Sequence, residues 1–196
     1  KRAGYERQHT ALDLHDRKCD QNLARLHKAG ISGVRTVSGD ACELDEVLTS
    51  FDAMLGEPAL FDTVFIDAPC SGTGTMRRHP EIPWRLTEND VTRELPKLQL
   101  TMLKEAAARV AAGGELIYAT CSVFDEENTQ VVDAFLASDE GFTVAPLSEA
   151  QILQLPEFEQ AKKLVSVRQN DRGLFQSVPV NADSYDGHFC ARLIRK

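Results

Sequence analysis

Apolar residues in this chain come in short runs separated by stretches of helical spacing, the order expected of an α/β sheet. Thr10 to Leu14 reads as a short strand. Arg17 to Ala29 reads as a helix, with Leu23 and Leu26 on one face and Gly30 placed to cap its C-terminus. Val34 to Val37 reads as the next strand, Ala41 to Leu55 as a polar helix or loop, and Phe61 to Ile66 as an apolar strand. A loop rich in Gly, Pro and Arg runs from Ala68 to Trp84, where Trp84 is expected to pack in the core. Leu95, Leu98, Met102, Ala106 and Val110 then recur at helical spacing. They predict a helix from Pro96 to Ala112, with Pro96 in its first turn and Gly113 and Gly114 stopping it. Glu115 to Ala119 reads as a strand, and Thr120, Cys121 and Ser122 form the loop at its end. Glu126 to Ala137 reads as a helix with Val131, Val132, Phe135 and Leu136 as its apolar stripe. From Gly141 to Ser184 no period is sustained, which suggests an inserted or variable segment over the sheet. Gly187 to Ile194 closes the chain as an edge strand with an alternating core face.

Composition narrows the class. A length of 196 residues suits about one domain, and the 27% of charged residues beside 42% hydrophobic ones argues against wholesale disorder. No apolar run approaches the roughly 20 residues that span a bilayer, and Lys1 to His9 is polar, unlike a signal peptide. A soluble, cytoplasmic domain with no membrane partner is the expectation. The five cysteines are odd in number and scattered, which argues against a disulfide framework, and none forms a CxxC knuckle. Free thiols and no metal site are therefore expected. His9, His15, His27 and His188 have no ligand spacing. The net charge of -8 counts against nucleic acid as a partner, though basic residues can act locally.

The chemistry-bearing residues gather at strand ends. Asp13, Asp40 and Asp67 each stand at the end of a predicted strand, where open α/β sheets bind ligands. Acids there can accept hydrogen bonds from ribose hydroxyls and an adenine amino group; the alternative is that each caps the following helix. Two cysteines share the pattern. Asp67-Ala68-Pro69-Cys70-Ser71-Gly72-Thr73-Gly74 and Tyr118-Ala119-Thr120-Cys121-Ser122 each put a thiol directly after a strand.

These two loops resemble the paired motifs of the RNA cytosine-5 methyltransferases, the Sun/Fmu-like family that includes 16S ribosomal RNA enzymes and the nucleolar proliferation antigen. The resemblance runs from Thr10 to Ser138 and resumes from Asp186 to Lys196. It takes in Arg77-Arg78-His79-Pro80, Trp84, Gly113-Gly114 and Glu126-Glu127-Asn128. It implies a Rossmann-like class I methyltransferase, a mixed sheet with helices on both faces. The cofactor would be S-adenosylmethionine and the substrate RNA, ribosomal before transfer RNA. Residues 1–196 would be a partial C-terminal catalytic domain. By the same resemblance Cys121 is the nucleophile on cytosine carbon 6, and Cys70 removes the carbon 5 proton and releases the enzyme. Asp67 binds the cytosine edge and lies on the methionine side of the cofactor, Asp13 binds its ribose, and Asp40 its adenine end. DNA cytosine-5 methyltransferases use a Pro-Cys cysteine as nucleophile, so the exchanged assignment, with Cys70 attacking, stays open. Pro69, Arg77 and Arg78 are the residues expected to meet RNA.

One feature departs from the family. Its glycine-rich cofactor loop of the Pro-Gly-Gly-Lys-Thr type, with the first strand, has no counterpart here. A fragment of a longer protein is the simplest expectation. The competing function is a non-catalytic fragment that keeps the fold and binds RNA or protein.

Overall fold

The computed structural model describes residues 9–138, 141–147, 169–179 and 185–196. They fall into two compact units, residues 1–59 and 60–196.

The first unit is a β-α-β crossover with two short helices. β1 (His9–Asp13) and β2 (Val34–Ser38) are parallel, with Asp13 opposite Ser38. α1 (Asp16–Lys28) connects them, with an acid in its first turn and Arg25, His27 and Lys28 in its last, the arrangement the helix dipole favours. Gly30 follows its end at φ 72°, a left-handed conformation that only glycine adopts cheaply, as the sequence suggested. Cys19 is buried here, its thiol 3.3 Å from the Val37 carbonyl. The polar stretch after β2 becomes α2 (Leu44–Val47) and α3 (Thr49–Leu55).

The second unit carries the larger sheet. β3 (Phe61–Asp67) runs parallel to β4 (Val110–Thr120), which pairs antiparallel with β7 (His188–Arg195). β5 (Phe142–Val144) and β6 (Phe175–Ser177) both pair antiparallel with β7. The sheet is therefore mixed and the fold α/β, as expected. Leu116, Tyr118, Phe189, Ala191 and Leu193 form its fully covered face. α5 (Leu95–Ala108) packs on β3 and β4, and α6 (Thr129–Ser138) packs on α5. Val131, Val132 and Phe135 of α6 are buried. α4 (Ile82–Arg85) lies in the loop after β3.

Four expectations need correction. The helix expected to reach Ala112 ends at Ala108, and Val110 already belongs to β4. Tertiary contacts decide this: the Arg195 guanidinium donates to the Ala107 and Val110 carbonyls at 3.3 and 2.5 Å, satisfying groups another helical turn would have used. Gly113 and Gly114 accordingly lie within the strand, where the β3–β4 register breaks between Phe61 and Thr63. Gly114 is close-packed, since a Cβ there would stand 3.0 Å from the Asp62 carbonyl oxygen. The inward face of α5 also differs. Leu98 is exposed, while Gln99, Leu103, Ala106 and Ala107 are buried. The last strand is an interior one, because β4 covers one edge of β7 and β5 and β6 cover the other; its alternating core face is as expected. Finally, Trp84 does not pack in the core: it is 89% exposed. Of the stretch read as an insertion, residues 148–168 and 180–184 lie outside the described residues, and the rest contributes β5 and β6.

Candidate active site

Parallel pairing of β3 with β4 sets Asp67 opposite Ala119, so the chain leaves both strands side by side. The Ala68 amide donates to the Ala119 carbonyl at 2.9 Å and extends the ladder one step. Cys70 and Cys121 then face each other, sulfur to sulfur, at 3.2 Å. Both are free thiols and both are partly exposed.

Beneath them lies a floor of buried polar groups. Ser71 Oγ is 3.1 Å from both Thr73 Oγ1 and Ser122 Oγ. The Val123 amide donates to Thr73 Oγ1 at 3.1 Å. Glu127, fully buried, accepts from the Ser71 amide at 2.8 Å, from the Ser71 hydroxyl at 2.5 Å and from the Ser122 hydroxyl. Gln99 bridges the Pro69 carbonyl at 2.9 Å and Glu127 Oε1 at 3.2 Å, which explains a polar residue on the inward face of α5. Asn128 accepts from Thr120 Oγ1 at 2.6 Å and donates to the Ser122 carbonyl at 3.0 Å. Buried polar atoms are costly unless bonded, and here nearly all are bonded to one another or to loop backbone, the Gln99 side-chain oxygen being the exception.

Glycine closes the site from the side. The Gly74 amide donates to the Cys121 carbonyl at 2.8 Å, and the Gly187 amide donates to the Gly74 carbonyl at 2.8 Å. A Cβ on Gly74 would overlap the Gly187 carbonyl and stand 2.8 Å from the Cys121 oxygen.

The two thiols are electrostatically unequal. Cys121 is lowered to about 7, first by the hydrogen bond from Cys70, against the opposing effects of burial and the Asp67 and Glu127 charges. Cys70 is raised, first by that same hydrogen bond, then by burial and by the Cys121 charge. When one of the two thiols ionises, the direction of these shifts puts the charge on Cys121 and leaves the hydrogen on Cys70. Burial, and then Glu127, raise Tyr118, whose hydroxyl donates to the Glu127 carbonyl at 2.6 Å.

The other residues singled out from the sequence divide between the units. Asp13 ends β1, accepting from the His15 amide at 3.0 Å and standing 3.8 Å from the Lys18 ammonium. Asp40 follows β2 and accepts from the Cys42 amide at 2.8 Å. Both bonds are turns within the loop; neither carboxylate caps a helix. Asp67, exposed, ends β3 in the other unit. Pro69 is exposed beside Cys70. Arg77 and Arg78 are exposed and share a partner that sequence reasoning missed: Asp186 meets Arg78 at 2.6 Å and Arg77 at 3.7 Å. A cavity of about 360 Å³ opens between Thr73, Met76, Leu86, Val91 and Phe124. Among the described residues no group of three or more His, Cys, Asp or Glu could hold a metal ion, and no helix is long and apolar enough to cross a membrane.

The family model described as 16S rRNA methyltransferase RsmB/F matches residues 4–194. The chain belongs to the RsmB/F family. Ribosomal RNA small subunit methyltransferase B of Salmonella arizonae is 40% identical over 136 residues, which cover 69% of this chain and 27% of that relative. The same-named protein of Klebsiella pneumoniae is 48% identical over 77 residues, 39% of this chain and 18% of its own. The matched part of the chain thus spans about a quarter of the length of the first of these relatives and less of the second. Among solved structures, PH0851 superposes with a TM-score of 0.72 at 29% identity, covering 94% of this chain and 36% of its own. A methyltransferase homolog from Pyrococcus horikoshii superposes with a TM-score of 0.66 at 21% identity, over 95% of this chain and 53% of its own. Family membership and the Rossmann-like methyltransferase fold both agree with the resemblance carried by the two cysteine loops.

Proposed function

We propose that this chain belongs to an enzyme that moves a methyl group from S-adenosylmethionine to carbon 5 of a cytosine in ribosomal RNA, by way of a covalent bond between Cys121 and carbon 6. The observation that carries this reading is the pair of unequal thiols 3.2 Å apart at neighbouring strand ends, in a member of the RsmB/F family. Carbon 5 of cytosine is a poor nucleophile. Bond formation between the Cys121 thiolate and carbon 6 pushes electron density to carbon 5, which can then take a methyl group. Asp67 holds the base edge and stabilises positive charge developing on the ring nitrogen. Once Cys121 is bonded to carbon, its charge no longer raises Cys70. Cys70 then ionises more readily, takes the carbon 5 proton, and the carbon 6–sulfur bond breaks. The nucleophile of the resembling RNA enzymes lies in the Thr-Cys-Ser loop, and the direction of the two shifts also supports Cys121 over the exchanged assignment.

The residues present fit the cofactor. Asp13 and Asp40 are carboxylates at the ends of neighbouring parallel strands, suited to the hydroxyls of a ribose and the amino group of an adenine. S-adenosylmethionine supplies the methyl group as a sulfonium. Pro69, Arg77 and Arg78 border the cysteine loop and are assigned to the RNA; the target base must be unpaired or flipped to expose its ring face. A reducing cytoplasm would keep both thiols free. The rival reading, binding without catalysis, leaves the thiol pair without a task.

The test is trapping on RNA containing 5-fluorocytosine with S-adenosylmethionine present. The protein should form a covalent adduct, Cys121→Ala none, and Cys70→Ala should retain it. Adduct lost in Cys70→Ala and kept in Cys121→Ala would exchange the roles. No adduct and no methyl transfer by the unaltered protein would leave the binding reading.

A further inference from the structure

We propose that Glu127 is a positioning residue that holds the two cysteine loops in register, acting through Ser71 and Ser122 and never touching the base. The inference rests on the catalytic reading of the thiol pair and adds a part to it. Ser71 directly follows Cys70, and Ser122 directly follows Cys121. Both hydroxyls donate to the same carboxylate oxygen, Glu127 Oε2, with Ser71 at 2.5 Å. The other oxygen takes the Ser71 amide at 2.8 Å and the Gln99 amide group at 3.2 Å. One side chain therefore fixes the residue next to each sulfur.

The donor set suits a carboxylate and no neutral substitute. A carboxylate accepts on both oxygens, whereas a glutamine offers one accepting oxygen and one donating nitrogen. At full burial the group takes a hydroxyl from each loop, the Ser71 amide and the Gln99 side-chain amide, and among the described residues no ion pair to it is seen. Its backbone is pinned as well, by the Tyr118 hydroxyl on its carbonyl at 2.6 Å. The carboxylate is not there to promote ionisation of the nucleophile, since its charge opposes the Cys121 thiolate. An acid kept at that electrostatic cost, on hydrogen bonds to both loops, serves their geometry.

This gives a signature that general loss of structure would not. In Glu127→Gln, the pH profile of Cys121 alkylation by iodoacetamide should move to lower pH, because an opposing charge is gone. Oxidation by diamide of the two thiols to a Cys70–Cys121 disulfide, the diazene being reduced to a hydrazine, should slow by about 100-fold, as should adduct formation on 5-fluorocytosine RNA, the scale expected for misplacement by about 1 Å. A folded Glu127→Gln protein that cross-links its thiols and traps RNA at unaltered rates overturns the proposal. If that variant does not fold, the double variant Ser71→Ala with Ser122→Ala removes both hydroxyl tethers and keeps the carboxylate. It should show the same slow cross-linking, and unchanged cross-linking there also overturns the proposal. Fast cross-linking in the unaltered protein and slow cross-linking in the variant, with no RNA adduct in either, would support the clamp and sink the RNA reading instead.

Discussion

The floor under the two thiols, which begins with Ser71 and Thr73, and the segment from Met76 to Trp84 that follows those two residues are built on opposite principles. The floor consists of Ser71, Thr73, Gln99, Thr120, Ser122, Glu127 and Asn128, all buried and bonded to one another or to loop backbone. The following segment presents Arg77, Arg78, His79 and Trp84 to solvent and is held by ion pairs from Arg77 and Arg78 to Asp186. The contrast follows the two tasks proposed. Bond-making between sulfur and carbon tolerates little displacement, so polar groups are locked where water cannot loosen them. Contact with a polyanion needs cations that can be reached, and exposed ion pairs can be exchanged for phosphate at small cost.

Substitutions should separate the two regions. The largest effect belongs to the floor. Gly74→Ala forces a methyl group against the Gly187 and Cys121 carbonyls and should destabilise the protein by about 3 kcal/mol in urea denaturation. Wild-type stability would mean that the loops are looser than the contrast requires. Next is the thiol pair. Cys70→Ala removes the hydrogen bond that most lowers Cys121, while burial and the Asp67 and Glu127 charges still act to raise it. The midpoint of Cys121 alkylation should therefore rise from about pH 7; an unmoved midpoint would mean that Cys70 does not stabilise the thiolate.

The exposed segment should behave the other way. Trp84→Ala should leave stability within about 0.5 kcal/mol and weaken RNA binding by about 1 to 3 kcal/mol, the range for a stacking aromatic. A large loss of stability would show that the ring packs after all. The smallest effect is expected from Asp186→Asn. It releases Arg78 and Arg77, so RNA affinity measured by filter binding should rise slightly and stability should barely change. Weaker RNA binding would mean that Asp186 orients these cations for the phosphates.

Much of this was legible along the chain. Period and breakers located β1, α1, β2, β3 and α6 to within a few residues, because their apolar spacing and the glycines and acids at their ends are local signals. The two cysteines could be assigned to neighbouring strand ends because thiols immediately after apolar runs must emerge at the edge of a parallel sheet. Three readings failed for one reason. Along the chain Leu98 reads as core while Gln99 gives no signal, Trp84 reads as core, and the helix through Val110 reads as unbroken. In each case the outcome depends on a partner distant in sequence, or on its absence. Gln99 is buried because the Pro69 carbonyl and Glu127 accept from its amide, and where the helix stops Arg195 takes the Ala107 carbonyl while Val110 joins the sheet. Glu126-Glu127-Asn128 was visible as a motif, yet nothing local says which acid turns inward.

The sequence by itself therefore determined the α/β order and the family, and placed Cys70 and Cys121 at strand ends, since these follow from local periodicity and from the motifs there. Only the tertiary structure decided that the two sulfurs meet, that Cys121 is the more readily ionised of the two, and that Glu127 joins their loops. Hydrogen-bond geometry and desolvation depend on which distant side chains share a buried space, and the one-dimensional pattern does not contain that information.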